Sequence, residues 1–94
     1  MVWAVNRITL LLDMIRRLRR AKNNPNNRIR DWVTVLKVEV YKRWLDKMRL
    51  RDPRAYTFTE AMEILGQYGV REWRGYVAVR RRNANRAITL MCKD

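Results

Sequence analysis

Four arginines gathered around one short loop, Arg80, Arg81, Arg82 and Arg86, are the residues whose type and spacing point most directly to chemistry. A guanidinium binds phosphate through a planar fork of N–H donors that matches two oxygens at once. Read as strands, Tyr76–Arg81 and Arg86–Met91 both alternate around Arg82-Asn83-Ala84-Asn85, which sets Arg81 opposite Arg86 with Arg80 and Arg82 beside them. In that register Val79 faces Ile88 and Val77 faces Leu90, with all four on one side, as a half-buried hairpin requires. Like charges opposed across strands destabilise a hairpin by roughly a few tenths of a kcal/mol or more. Charges also protect an edge strand from aggregation, but one Lys or Arg would serve for that. Four with no acid among them suit an anionic partner.

The whole chain supports that chemistry. Its 94 residues carry 22 Lys and Arg against nine Asp and Glu, with no His, for a formal charge of +13. So small a domain repels itself unless a polyanion takes up part of the charge. Nucleic acid does so through phosphate neutralisation and counterion release. Three segments, residues 1–22, 23–55 and 71–94, each carry a net +5, while 56–70 holds only Glu60 and Glu63 and is −2. A second basic cluster, Arg16, Arg17, Arg19, Arg20 and Lys22, lies at the end of the first expected helix. The helix dipole favours cations there without any ligand, but five in seven residues exceed what it needs. Trp73 and Tyr76, beside Arg71 and Arg74, are candidates for contact with nucleic acid. Trp3, Trp32 and Trp44 sit on apolar stripes and read as core.

These groups need elements to hold them. Ala4, Ile8, Leu11, Ile15 and Leu18 keep helical spacing, so a helix is expected over residues 1–22, and it ends at Asn23-Asn24-Pro25-Asn26-Asn27. Ile29, Val33, Leu36, Val40, Trp44 and Met48 mark a second helix over 27–51. The β-branched run from Val33 to Tyr41 keeps a strand open as the competing reading, and the unbroken stripe through Trp44 and Met48 favours helix. Trp32, Val38, Tyr41 and Leu45 widen the apolar arc of that helix beyond half its circumference, which suggests burial on two sides and a homodimer. Thr57-Phe58-Thr59-Glu60 is a capping box opening a third helix over 57–68. The hairpin then occupies 74–92. The fold class is α+β and mostly α, as one domain over 1–94.

Catalysis finds little support. The chain has no His, no zinc spacing and no Gly-rich phosphate loop among Gly66, Gly69 and Gly75, and Cys92 has no evident base. A non-enzyme without cofactor, metal or small-molecule substrate is expected. Apolar runs such as Ile8 to Leu12, broken by Thr9 and followed by Asp13, are far too short to cross a bilayer, so no membrane partner is expected. One cysteine cannot form an internal disulfide, which argues against a secreted, stapled scaffold and for a cytoplasmic, intracellular or virion-associated protein.

The stretch Thr57–Met91 resembles the C-terminal half of a winged helix-turn-helix domain. Thr57 to Gly66 is similar to its scaffold helix, Gln67-Tyr68-Gly69-Val70 to the turn, and Gly75 to Arg81 to the strand that opens the wing. The resemblance implies a DNA-binding protein whose wing arginines, Arg80, Arg81, Arg82 and Arg86, touch phosphate or the minor groove. Only Val70–Arg74 is left for a recognition helix before Gly75, and the helix at 57–68 would offer Glu60 and Glu63 to DNA, the wrong sign. The expectation is therefore phosphate-led binding of double-stranded DNA, with Arg16 to Lys22 on flanking phosphates, by a small regulator or packaging factor of microbial or viral type. RNA or ribonucleoprotein binding is one alternative. A structural or adaptor protein, binding another protein through its first two helices, is the other.

Overall fold

The computed structural model describes residues 6–93. They form four α-helices and one three-stranded antiparallel sheet, an α+β fold that is mostly α, in the order α1 (Arg7–Asn23), β1 (Trp32–Lys37), α2 (Val38–Arg51), α3 (Phe58–Gly66), β2 (Arg71–Trp73), β3 (Tyr76–Arg80) and α4 (Ala84–Lys93). A single 3-10 turn, Arg81–Asn83, joins β3 to α4. The strands lie side by side as β1-β3-β2.

α1 begins where Asn6 accepts the backbone N–H of Thr9 at 2.9 Å, and it buries Leu10, Leu11, Met14, Ile15, Leu18 and Ala21. This is the helix expected from the periodicity; Trp3 and Ala4, also placed on its stripe, lie outside the described residues. The second expected helix is corrected. Residues 28–31 are loop, Trp32–Lys37 is a strand, and helix begins only at Val38. Four of the first five residues of that strand, Trp32, Val33, Thr34 and Val35, are aromatic or β-branched, types that lose side-chain freedom in a helix and fit a pleated surface. A pairing partner was available in β3, and tertiary pairing decided between the two readings.

The C-terminal strand is corrected too. Arg86–Met91 belongs to α4, not to a hairpin. Ala84, Ala87, Ile88 and Met91 recur at helical spacing and are buried, with α4 packed along α1. Six residues that alternate can also be read at a period of 3.6, and β3 already has a partner on each side. The hairpin that does form joins β2 to β3 through Arg74 and Gly75, both at positive φ (49° and 78°). That is a two-residue connection of the mirror-image kind that suits the strand twist.

Directly paired residues point to the same side of a sheet, and neighbours along a strand to opposite sides. Val33, Val77 and Val79 therefore face inward, all fully buried in one core with Leu18, Tyr41, Leu45 and Leu65. α1 and α2 pack against this sheet, and α3 rests on α2 and β2. The opposite, outer face carries Trp32, Arg71, Trp73, Tyr76, Ala78 and Arg80. The broad apolar arc that suggests a second copy is thus divided between β1 and α2: Val33, Tyr41 and Leu45 are fully buried, while Ile29 and Val40 are each 40% exposed.

α3 opens with the expected capping box. The Thr57 hydroxyl accepts the Glu60 N–H at 3.2 Å, and the Glu60 carboxylate accepts the Thr57 N–H at 2.9 Å. These bonds, from the Thr57 backbone and side chain, hold the Glu60 carboxyl below its ordinary pKa. Replacing Thr57 with Ala should cost about 1 kcal/mol of stability, read as a lower midpoint in urea unfolding at unchanged slope. It should also move the Glu60 titration back up towards the usual carboxylate range.

Candidate nucleic-acid interface

The outer face of the sheet holds a row of alternating rings and cations. The Arg80 guanidinium carbon lies 4.4 Å from the Trp32 ring centre, Trp32 stacks on Trp73 at 5.1 Å and 16° between planes, and Arg74 lies 4.9 Å from the Trp73 ring centre. Strand register builds the row. Trp32 pairs with Arg80 and Trp73 with Tyr76, so the two indoles reach toward each other diagonally across β3. Ala78 stands between them on the same face, fully buried, and its single methyl leaves room for the rings to meet. Arg74 reaches its ring from a backbone at φ 49°, where a non-glycine residue is uncommon and costs on the order of 1 kcal/mol.

Beside the Arg80 end, a loop adds more charge. Arg28 and Arg30 are exposed there, and Arg30, Asp31, Arg80, Arg81 and Arg82 line one cleft. Arg81 itself points into the loop. Its Nη2 donates to the carbonyls of Asn27 (3.1 Å), Ile29 (2.9 Å) and Trp32 (3.2 Å), and its Nε to Ile29 (3.2 Å). Its backbone N–H donates to the Asp31 carbonyl at 2.9 Å.

The four arginines expected at one hairpin tip are therefore separated. Arg80 and Arg82 are exposed at the end of β3, Arg81 is half-buried and engaged with backbone, and Arg86 is on α4 beside Gln67, Gly69 and Leu90. Arg71 is exposed on β2 next to Met62, Gly66 and Glu72. Tyr76 is half-buried on the outer face.

The basic end of α1 is partly used within the fold. Arg17 donates to Asp13 at 2.9 Å and lies over the Trp44 ring at 5.2 Å. Burial pushes the Asp13 carboxyl above its ordinary pKa, against the opposing pull of Arg17. Lys22 donates to the Asn85 side chain at 2.6 Å, and Arg19 approaches the Cys92 sulfur at 3.8 Å. Arg16 and Arg20 are exposed, and Arg20 shares a cleft with Asn24, Asn27 and Thr34.

Sequence reasoning does not select Trp32, Arg28 or Arg30. It reads Trp32 as a packed residue, and Trp32 is indeed buried, but under the rings and cations of the outer sheet face. It reads Arg28 as lying on a solvated helix face, because the strand beginning at Trp32 reads as helix. The basic pair Arg28 and Arg30 directly before a β-branched run is the available signal. On α3 the outward side presents Glu60 and Glu63, and that helix has no Lys or Arg. No group of three or more potential metal-ligating side chains occurs among the described residues. No helix of these residues is long and apolar enough to cross a membrane.

Comparison with protein-family models, curated proteins and solved structures finds no match for this chain. The functional reading therefore rests on the site itself.

The stacked indoles have a spectroscopic consequence. Two parallel Trp rings this close should give an exciton couplet in the far-ultraviolet circular dichroism. Trp73→Phe should abolish the couplet while leaving the cooperative unfolding transition in place. A couplet that survived the substitution would mean that Trp32 and Trp73 are not stacked in solution.

Proposed function

We propose that this protein binds nucleic acid, with double-stranded DNA as its target, through the outer sheet face and the adjoining Arg28–Arg30 loop. The observation that carries the reading is the Arg80–Trp32–Trp73–Arg74 ladder. A guanidinium held over an indole, 4.4 Å from the ring centre for Arg80 and 4.9 Å for Arg74, keeps its full charge while its side chain is already restrained. Less conformational freedom then disappears on binding. Arg28, Arg30 and Arg82 extend the positive strip, and Asp31 is the one carboxylate residue lining the cleft beside them.

The same ladder bears on which nucleic acid is bound. Single-strand binders offer ring faces on which bases stack. Here Trp32 contacts both Arg80 and Trp73, and Trp73 both Trp32 and Arg74, so each indole is already engaged by two partners. What the strip offers is guanidinium charge, which suits the backbone of a duplex. Charge and counterion release would supply most of the affinity.

Element order supports the winged-helix reading: helix, strand, two helices and a hairpin, with the first strand pairing with the last. In this reading the β2–β3 hairpin is the wing, with Arg74 at its tip. The acidic outward side of α3 keeps that helix away from phosphate, so the wing side meets the duplex. No catalytic constellation accompanies the site, and we read the protein as a binding factor rather than an enzyme.

A second reading has one observation in its favour. Ile8 and Leu12 on α1 are 60% and 50% exposed, beside a groove lined by Leu11, Ile15, Met91 and Cys92. An adaptor protein would present such a surface to another protein.

The test is fluorescence anisotropy with labelled duplex DNA at several salt concentrations, with single-stranded RNA as competitor. Replacing Arg80 and Arg82 with Ala, and Arg74 with Asn (a residue that tolerates positive φ), should weaken binding more than tenfold at low salt. The slope of log K against log salt should become shallower by about 0.9 for each phosphate the variant no longer neutralises. Thermal stability should stay close to wild type, because these side chains are outside the core. Glu60→Gln with Glu63→Gln should leave the slope unchanged. Unaltered affinity in the folded triple variant would contradict the reading, and displacement by RNA would move it to the RNA class.

A further inference from the structure

The cleft at the end of β3 has an unusual wall. One side of it is the loop before β1 and the first residue of that strand, and three carbonyls there, from Asn27, Ile29 and Trp32, turn inward onto one guanidinium. Carbonyls that converge on a cation leave the side chains between them to face elsewhere. Arg28, Arg30 and Asp31 are the residues between, all three exposed, two cations against one carboxylate. Without a central cation the three dipoles would repel one another. Among the described hydrogen bonds, only the one from the Arg81 N–H to the Asp31 carbonyl otherwise ties residues 28–31 to the end of β3. A loop carrying two arginines beside Arg80 and Arg82 would also be driven apart by like charge.

We infer that the cleft bounded by Arg30, Arg80 and Arg82 is a subsite for one backbone phosphodiester, and that Arg81 is its positioning residue. Arg81 touches no phosphate. Its charge is directed onto the loop carbonyls, and it holds Arg28 and Arg30 against the arginines of β3 so that the four act on one phosphate strand. The inference rests on the nucleic-acid reading above and adds a division of labour within it: of three consecutive arginines, two bind and the middle one arranges. The chain leaves β3 at Arg80 and enters the 3-10 turn Arg81–Asn83, where Arg81 is half-buried against the loop while Arg80 and Arg82 on either side of it stay exposed.

The experiment combines a measurement on the free protein with one on the complex. In the free protein, heteronuclear 15N–1H NOEs of residues 28–31 should be near those of β1 in wild type and should fall in Arg81→Gln. Arg81→Lys, which keeps a cation but lacks the planar fork, should restore them only in part. In duplex titrations, Arg28→Ala with Arg30→Ala should reduce the salt slope by roughly 1.8, the effect of two phosphates left unneutralised. Arg81→Gln alone should cost nearly as much. Arg81→Gln added to the pair should cost almost nothing more, because the loop it arranges no longer carries its charges.

A further fall of about 0.9 in the combined variant would make Arg81 a direct phosphate ligand and overturn the inference. So would unchanged NOEs in Arg81→Gln, or full recovery of binding in Arg81→Lys while the loop stays mobile. Absence of duplex binding by the wild-type chain would instead remove the functional reading, and the NOE arm, run without nucleic acid, would still report on the clamp. If Arg81→Gln does not fold, Arg81→Lys carries both arms.

Discussion

Everything in this molecule is arranged around β3, the central strand of the sheet. It pairs with β1 along its whole length and with the three-residue β2 over Tyr76–Ala78. Val77 and Val79 enter the core from one face, and Ala78 between them is sealed from the other by two indoles. The same strand thus fixes the position of the helices below and of the cationic row above. Where the strand ends, the 3-10 turn that follows directs Arg81 to the loop and leaves Arg82, like Arg80, exposed.

Such a chain must also manage its own charge. A formal +13 over 94 residues is destabilising when dispersed and more so when concentrated. The fold handles it by giving many of its cations a partner that is not a carboxylate. Lys42 lies over Phe58, while Arg74 and Arg80 lie over indoles and Arg81 is surrounded by carbonyls. Each partner restrains the cation without neutralising it, because a ring face or a carbonyl carries no net charge. A surface built this way stays positive and becomes ordered, which is a useful combination for meeting a phosphate backbone. Several acids serve local roles instead, at the Thr57 cap, in the Asp13–Arg17 and Asp46–Arg49 pairs and in the turn at Asp52, where Arg54 donates to the carboxylate.

The sequence was legible wherever one period dominated. α1 is long and strictly spaced, and α3 is announced by its capping box; both are found where expected. It was illegible where two periods fitted. Val33 to Tyr41 is apolar enough for a buried helix and β-branched enough for a strand, and only the presence of β3 resolves it. Arg86 to Met91 alternates well enough for a strand, yet Ala84, Ala87, Ile88 and Met91 also form a helical face, and α1 needed cover. Those two exchanges, strand for helix and helix for strand, move the hairpin from 74–92 to 71–80. They also turn a cross-strand arginine pair into a clamp. The basic residues were readable as a class; their division into phosphate ligands, ladder and clamp required the register of β1 against β3.

If the outer sheet face and the Arg28–Arg30 loop meet duplex DNA by its backbone, a 1H–15N NMR titration of the wild-type protein with a short DNA duplex at low salt will show it. Shifts should concentrate at residues 28–31, Arg74 and Arg80–Arg82, with the indole N–H signals of Trp32 and Trp73 moving while that of Trp44 stays fixed. Shifts confined to α3 or to the α1–α4 groove, or none at all, would contradict that mode of binding.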